Sequence, residues 1–219
     1  MKELKICEIS PIKIHGRCSQ KNGQLALFWT GSGIEINCSG SELWIEVEVD
    51  YDVYEPWISI LYHGERVSRQ MLVKGRYWIP LFRNMKSSEV KNIRFLKDVQ
   101  AMSGDLRHSL ILHQVRSDGD FFPVDKKEYS IEFIGDSITS GEGLIGAKQE
   151  EEWVSMWFDS VSNYTYLCAK ELDADYRVLS QSGWGVYCSW DHNLEAVLSK
   201  NYEKVCGVVS GKRNRELGA

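Results

Sequence analysis

The sequence predicts a protein in two parts, an all-β part followed by an α/β part. Short strand-like runs, broken by turn residues, fill the stretch from about residue 24 to residue 115, and no helical period of useful length interrupts them. After residue 128 the pattern changes to a strand, a connection that contains a helix, and a second strand, which is typical of a parallel sheet. We therefore expect an antiparallel β-sandwich followed by a parallel-sheet domain.

The run Leu43–Val49 shows the strand pattern most clearly. Its odd-numbered residues are all apolar, and its even-numbered residues are Trp44, Glu46 and Glu48, as in a strand with one buried face. Similar runs are Leu25–Trp29, Gly33–Cys38, Trp57–Tyr62, Tyr77–Phe82, Val90–Leu96 and Leu106–Val115. Many short strands at this spacing predict a jelly-roll-like sandwich over residues 1–118. Among its tryptophans, Trp44 lies on a polar face and is the best candidate for a sugar platform.

The α/β part is predicted to occupy residues 129–219. Its strands are Tyr129–Ile134 and Tyr176–Leu179, and the stretch 116–128 is the predicted connection to the sandwich. Residues 202–219 show neither a final strand nor a closing helix. We therefore expect only the N-terminal portion of a larger domain, which lacks on the order of 100 residues of a typical domain length.

One helix is predicted between the two parallel strands, over Asn163–Leu172, with Ser162 or Asn163 as its cap. It carries four residues on one face that we expect to pack, namely Tyr164, Leu167, Cys168 and Leu172.

Composition and charge narrow the possible partners. The 219 residues contain 26 basic and 31 acidic side chains, which gives a formal net charge of −5. Such a chain has no electrostatic reason to bind nucleic acid or an anionic membrane. The charged N-terminus has no apolar segment of signal-peptide length, and the six cysteines show no C-x-x-C pair and no zinc-type spacing. We expect a soluble cytoplasmic protein with mostly buried thiols, no metal and no cofactor, and the oligomeric state stays open.

The most informative segment is Ile131–Gly143, in which a short apolar strand stops at Gly135 and is followed by Asp136 and Ser137. In open α/β sheets, ligands bind beyond the carboxyl ends of the strands. A serine there can act as a nucleophile if a base and oxyanion donors are present, and a nearby helix N-terminus would favour negative charge. The alternative is that Asp136 and Ser137 only cap a helix.

Two motifs resemble the conserved blocks of the SGNH (GDSL-type) hydrolases. Gly135-Asp136-Ser137-Ile138-Thr139 resembles block I, which implies that Ser137 is the nucleophile and that its N–H belongs to the oxyanion hole. Ser182-Gly183-Trp184-Gly185 resembles block II, which implies that the N–H of Gly183 is a second oxyanion donor. A strand-rich module ahead of such a domain is similar to carbohydrate esterase family 2. The resemblance implies deacetylation of acetylated carbohydrate, with Trp184 in a sugar or acyl pocket or in the core.

The chain also departs from the SGNH pattern. It has no Gly-x-Asn-Asp string to supply the asparagine donor of the oxyanion hole, and no Asp-x-x-His string after Ser137. His192 has the wrong spacing, and Asp105 and His108 fit that string but precede Ser137, in a strand-like run. As supplied, the chain is therefore expected to be inactive or severely impaired. The alternatives are a non-catalytic carbohydrate-binding protein with a vestigial hydrolase part, and a plain α/β domain in which the motif only caps a helix.

Overall fold

Two antiparallel sheets form the N-terminal part, as the alternating strands predict. The computed structural model describes residues 1–206, and the predictions made for residues 207–219 lie outside the described residues. The strands are β1 (Lys2–Lys5), β2 (Lys13–His15), β3 (Cys18–Lys21), β4 (Gln24–Leu27), β5 (Gly33–Cys38), β6 (Leu43–Asp50), β7 (Trp57–Tyr62), β8 (Glu65–Met71), β9 (Gly75–Phe82), β10 (Lys91–Lys97), β11 (Ser109–Ser117) and β12 (Phe121–Phe122). One sheet has the order β3-β4-β11-β6-β9, with β1 also on β11, and the other has the order β12-β5-β10-β7-β8, with β2 also on β5.

The apolar faces of the two sheets form one core. From β6, the alternating residues Leu43, Ile45, Val47 and Val49 are all at most 3% exposed. They share a cluster with residues of the other sheet, including Ile36, Ile60 and Phe95. Each fully buried side chain of this size contributes roughly 1.5–3 kcal/mol through the hydrophobic effect. The predicted sandwich is confirmed.

Four strands that the sequence did not predict are polar. β1, β2, β3 and β8 are rich in Lys, Ser, Gln and Arg, so no apolar alternation marks them. The stretch 116–128, predicted to be a connection without strands, contains strand residues. β11 continues to Ser117, opposite Lys2 of β1, and Phe121 pairs with Cys38 of β5 and packs on the core. Pairing with distant strands, rather than local pattern, orders this segment. The burial expected of the thiols holds for Cys38 but not for Cys7, which is exposed.

The α/β part contains the predicted parallel pair of strands. These are β13 (Ser130–Gly135) and β14 (Asp175–Ser180), and their register runs from Ser130 opposite Asp175 to Gly135 opposite Ser180. Three helices accompany them within residues 1–206: α1 (Ser137–Ser140), α2 (Tyr164–Glu171) and α3 (Leu198–Asn201). None of these described helices is long and apolar enough to cross a membrane.

The face of α2 that packs is not the predicted one. Leu167 is 51% exposed and Leu172 is 61% exposed, whereas Tyr166 and Ala169 are buried. Tyr166 and Ala169 lie in one apolar cluster with Leu61 of the sandwich, and the hydroxyl of Tyr166 donates to the carbonyl of Gly64 at 2.9 Å. The prediction was wrong because packing against the sandwich decides which face of α2 is buried. The local sequence pattern of α2 does not indicate that packing.

The two parts pack directly against each other, as predicted. Besides the cluster around Tyr166, Val99 and Met102 of the sandwich pack with Phe158. A charged contact supports this apolar packing, since Arg66 Nη1 lies 2.5 Å from Asp159 Oδ2, whose carboxylate is fully buried.

A buried carboxylate joins strands of the second sheet. Glu35 accepts from Asn92 Nδ2 at 2.8 Å, and its other oxygen lies 2.9 Å from His15 Nε2 and 3.1 Å from Arg94 Nε. Burial by itself raises the pKa of Glu35, but the hydrogen bond from His15 and the charge of Arg94 outweigh burial and lower the pKa to about 2 from an ordinary 4.5. Because the pKa is lower in the folded state, the ionised carboxylate stabilises the fold above about pH 4.5, and this stabilisation is lost as the pH falls toward 2.

We predict that Glu35→Gln reduces the pH dependence of stability. Between pH 7 and pH 3 the free energy of unfolding of the wild type should fall by about 2 kcal/mol more than that of the variant. Urea unfolding at the two pH values measures this difference. Glu128→Gln, which removes an exposed carboxylate, is the control and should follow the wild type. Equal pH dependence in wild type and Glu35→Gln would contradict the assignment.

Candidate active site

Ser137 lies just beyond the carboxyl end of a parallel strand, as predicted. β13 ends at Gly135, and α1 folds back so closely that a Cβ at Gly135 would lie 2.1 Å from Thr139 Oγ1. Asp136 does cap the helix, as the helix-capping alternative predicted, because its carboxylate accepts a hydrogen bond from the N–H of Ile138 at 3.1 Å. Ser137 does not act as a cap. It is half-buried, and its hydroxyl has no hydrogen-bond partner in the described part of the chain.

A cleft of about 380 Å³ brings Ser137 and Gly183 together. Its lining consists of Ser103, Ser137, Glu142, Trp153, Ser182, Gly183 and Trp190. Ser137 follows β13 and Gly183 follows β14, so the two residues meet where adjacent parallel strands end, the usual ligand-binding edge of such a sheet. Because α1 is a single turn of four residues, we do not ascribe charge stabilisation in the cleft to its dipole.

Gly183 is required by the backbone and by a neighbouring indole. Its φ is +76°, in the left-handed region, and a Cβ there would lie 2.3 Å from Cδ1 of Trp190. The backbone N–H of Trp190 donates to the carbonyl of Gly183 at 2.8 Å. This bond holds the indole of Trp190 beside the glycine. That the N–H groups of Ser137 and Gly183 converge on one oxyanion stays a prediction.

The indoles at the cleft are not the one named from the sequence. Trp184 is 9% exposed, and it is absent from the cleft lining. Trp153 and Trp190 line the cleft instead, and Trp190 is 81% exposed. No local pattern marked them, since their approach depends on the fold. Trp44 is also not an open platform, because the guanidinium of Arg116 lies 4.7 Å from its ring centroid.

Two polar side chains that sequence reasoning missed connect the walls of the cleft. Glu142 accepts hydrogen bonds from the hydroxyl of Ser182 and, at 3.1 Å, from Nε1 of Trp153. Gln100, from the connection between β10 and β11, hydrogen-bonds to Ser182 and to Ser140 of α1. The only sequence signal for Glu142 was its place in the Gly-Glu-Gly string after Ser137.

None of the five histidines lines the cleft formed by the described residues. His192 is exposed in the turn after Trp190. His108 is buried, its Nδ1–H donates to the carbonyl of Tyr54 at 2.7 Å, and burial lowers its pKa to about 3. Asp105 does not orient His108 but accepts backbone N–H groups, including that of Val53 at 2.8 Å. The Asp-x-x-His match therefore belongs to a loop, not to the predicted strand.

Side chains that could bind a metal ion are not grouped together in the described part of the chain. No group of three or more His, Cys, Asp or Glu side chains in residues 1–206 is placed to hold a metal ion.

Comparison with known proteins places this cleft in a family context. No family model matches the chain. The acetyl xylan esterase Est2A of the rumen bacterium Butyrivibrio proteoclasticus has 42% sequence identity and a TM-score of 0.93, and the match covers 100% of this chain and 59% of that one. The fold is that of the family two carbohydrate esterases. These enzymes have SGNH-type hydrolase folds, so the recognition made from Ser137 and Gly183 is confirmed.

Two further proteins are similar to this chain, one in structure and one in sequence. A family two carbohydrate esterase from Clostridium thermocellum, solved in complex with cellohexaose, has 20% identity and a TM-score of 0.78 over 90% of this chain and 60% of its own. The cellulase/esterase CelE of Acetivibrio thermocellus is 26% identical over 168 residues, which are 72% of this chain and 19% of that protein. The chain thus spans less than two thirds of the length of each protein.

The buried carboxamide of Gln181, two residues before Gly183, lacks hydrogen-bond partners among the described residues. Gln181 is fully buried, and neither its Nε2 nor its Oε1 has a hydrogen-bond partner among the described residues. A buried polar group without a partner costs about 1–3 kcal/mol, and an apolar group of the same shape removes that cost.

We predict that Gln181→Met stabilises the chain by about 1–2 kcal/mol in urea unfolding. The matched control is Gln100→Met, the same change at a fully buried glutamine whose carboxamide is hydrogen-bonded. That variant should be destabilised. If Gln181→Met loses as much stability as Gln100→Met, the Gln181 carboxamide has partners in solution and the prediction is wrong.

Proposed function

We propose that this chain carries the nucleophile and the oxyanion donor of a serine esterase that deacetylates acetylated carbohydrate. The observation that carries the proposal is the shared cleft, into which Ser137, with an unpartnered hydroxyl, and Gly183 both open at the ends of adjacent parallel strands. A nucleophile and an oxyanion donor in one cleft are the minimum geometry for acyl transfer.

The proposed reaction has two steps. Ser137 Oγ attacks the acetyl carbonyl carbon and gives its proton to a general base, while the N–H groups of Ser137 and Gly183 stabilise the oxyanion. The tetrahedral intermediate then expels the sugar oxygen, which takes the proton from the base. In the second step the same base takes a proton from water, which attacks the acetyl-serine. The second tetrahedral intermediate then breaks its bond to Ser137 Oγ, which regains a proton from the base, and acetate is released.

The carbohydrate part of the proposal is supported by the cleft walls and by the relatives. Trp153 and Trp190 line the cleft beside Ser137, and indoles combine a large apolar face with a polar edge, which suits the apolar faces of sugar rings. The relative with 42% identity is named an acetyl xylan esterase, and another relative was solved with cellohexaose.

The base is the missing component of the proposed site. No histidine lines the described cleft, and the chain spans 59% of the length of Est2A. We propose that the base, and the asparagine donor of the family pattern, come from polypeptide outside residues 1–206. Loss of one triad member leaves about 10³–10⁴-fold catalysis over water in well-studied serine hydrolases, so the 219-residue chain alone should turn over slowly.

The cleft without a histidine also supports a second candidate, a carbohydrate-binding protein with a vestigial hydrolase part. The two candidates share the tryptophan-lined cleft and differ in the reactivity of Ser137. Binding of oligosaccharide without any Ser137-dependent acetate release would favour this second candidate.

Chemical rescue tests the esterase proposal. Because the described cleft lacks a base, added imidazole should take that place and accelerate acetate release from acetylated xylo-oligosaccharide, even though the asparagine donor is still absent. We expect imidazole-dependent turnover in the wild type and its loss in Ser137→Ala. Ser103→Ala, which removes another hydroxyl that lines the same cleft, should keep the imidazole-dependent rate. Equal rates in wild type and Ser137→Ala would overturn the nucleophile assignment.

A further inference from the structure

The carboxamide of Gln100 makes three hydrogen bonds beside the cleft. Its Oε1 accepts from the N–H of Ser182 at 2.9 Å and from the hydroxyl of Ser140 at 2.7 Å, and its Nε2 lies 2.7 Å from Ser182 Oγ. The orientation of the amide is determined, because the backbone N–H of Ser182 can only donate and must face the oxygen. Gln100 is fully buried, so water does not compete for these bonds.

These bonds connect the nucleophile to the oxyanion donor. Ser140 closes the single turn that Ser137 begins, and Ser182 directly precedes Gly183. Ser182 extends this hydrogen-bond network to Glu142, because its hydroxyl accepts a hydrogen bond from Gln100 and donates one to Glu142. One side chain of the sandwich therefore ties together both segments that the proposed reaction uses.

Hydrogen bonds of the two residues Lys97 and Asp98 hold the backbone segment that carries Gln100. The buried ammonium of Lys97 donates to the carbonyl of Gln100 at 2.9 Å and to that of Val99. The adjacent Asp98 accepts from the hydroxyls of Ser59, at 2.8 Å, and Ser160, at 2.6 Å. The backbone at Gln100 is thus anchored to the sandwich and to the hydrolase part at the same time.

We propose that Gln100 is a positioning residue of the proposed esterase site, through which the sandwich sets the place of the oxyanion donor Gly183. This inference rests on the proposed function for its catalytic meaning. A misplacement of about 1 Å in an active site can cost on the order of 100-fold in rate, and oxyanion donors act only when they lie about 3 Å from the oxyanion. The sandwich is accordingly part of the active site rather than an independent module.

Amide hydrogen exchange in the 219-residue chain tests this role without requiring activity. In Gln100→Leu the Ser182 amide should exchange about tenfold faster, the change that loss of one hydrogen bond gives, while the Ile45 amide of β6 keeps its rate. In Gln100→Glu the carboxylate still accepts from Ser182, so slow exchange should be retained. Gln114→Leu, which removes a sandwich glutamine bonded to Glu46, is the control and should leave the Ser182 amide unchanged.

Imidazole-rescued kinetics supply the second readout. Gln100→Leu should lower kcat at least tenfold with KM within about twofold, because the oxyanion interaction exists only in the transition state. Unchanged Ser182 exchange, or equal acceleration at Ser182 and Ile45, would overturn the positioning role. If the wild type shows no Ser137-dependent turnover, the proposed function fails, and the exchange rates alone decide whether Gln100 holds the oxyanion loop.

Discussion

The proposed site depends on the hydrogen bonds that the buried side chain of Gln100 makes to Ser140 and Ser182, one in each of the two segments that meet at the cleft. The parallel sheet in residues 1–206 consists of β13 and β14 alone, and a two-stranded unit is not independently stable. The sandwich compensates for this in two ways. Leu61 and Leu96 bury the apolar side of β14 and α2, and Gln100 satisfies the polar groups of Ser140 and Ser182 where the strands end. The cleft therefore belongs to the junction between the parts.

The sequence predicts well wherever local pattern decides the structure. Gly33–Cys38 and Trp57–Tyr62 occur as strands with the predicted bounds, because alternate residues such as Ile34 and Ile36, or Ile58 and Ile60, are buried in the sandwich core. Ser137 and Gly183 were predicted because the strings that follow the two parallel strands resemble blocks I and II of the SGNH hydrolases. The polar strand β8 was missed, since it is ordered by pairing with β7 rather than by its own pattern.

The rest of the site depends on contacts that no local pattern reports. Gln100 and Ser182 are 82 positions apart, and nothing in the sequence around either residue indicates the other. The backbone N–H of Trp190 donates to the carbonyl of Gly183, and Trp190 lines the cleft. Trp184, although it directly follows Gly183 in the sequence, does not line the cleft. Sequence reasoning therefore indicated Ser137 and Gly183, which meet at the cleft, but not the side chains that contact their segments or the tryptophans that line the cleft.

We propose that Ser137 Oγ and the N–H of Gly183 face the carbon and the oxygen of one acetyl carbonyl, and a crystal structure of the chain with phenylboronic acid tests this arrangement most directly. A boronic acid forms a tetrahedral adduct with an activated serine and imitates the oxyanion intermediate. The account predicts a bond from boron to Ser137 Oγ, with one boronate oxygen about 3 Å from the N–H of Gly183. An adduct whose oxygens all point away from Gly183, or boronate bound only away from Ser137, would contradict the account.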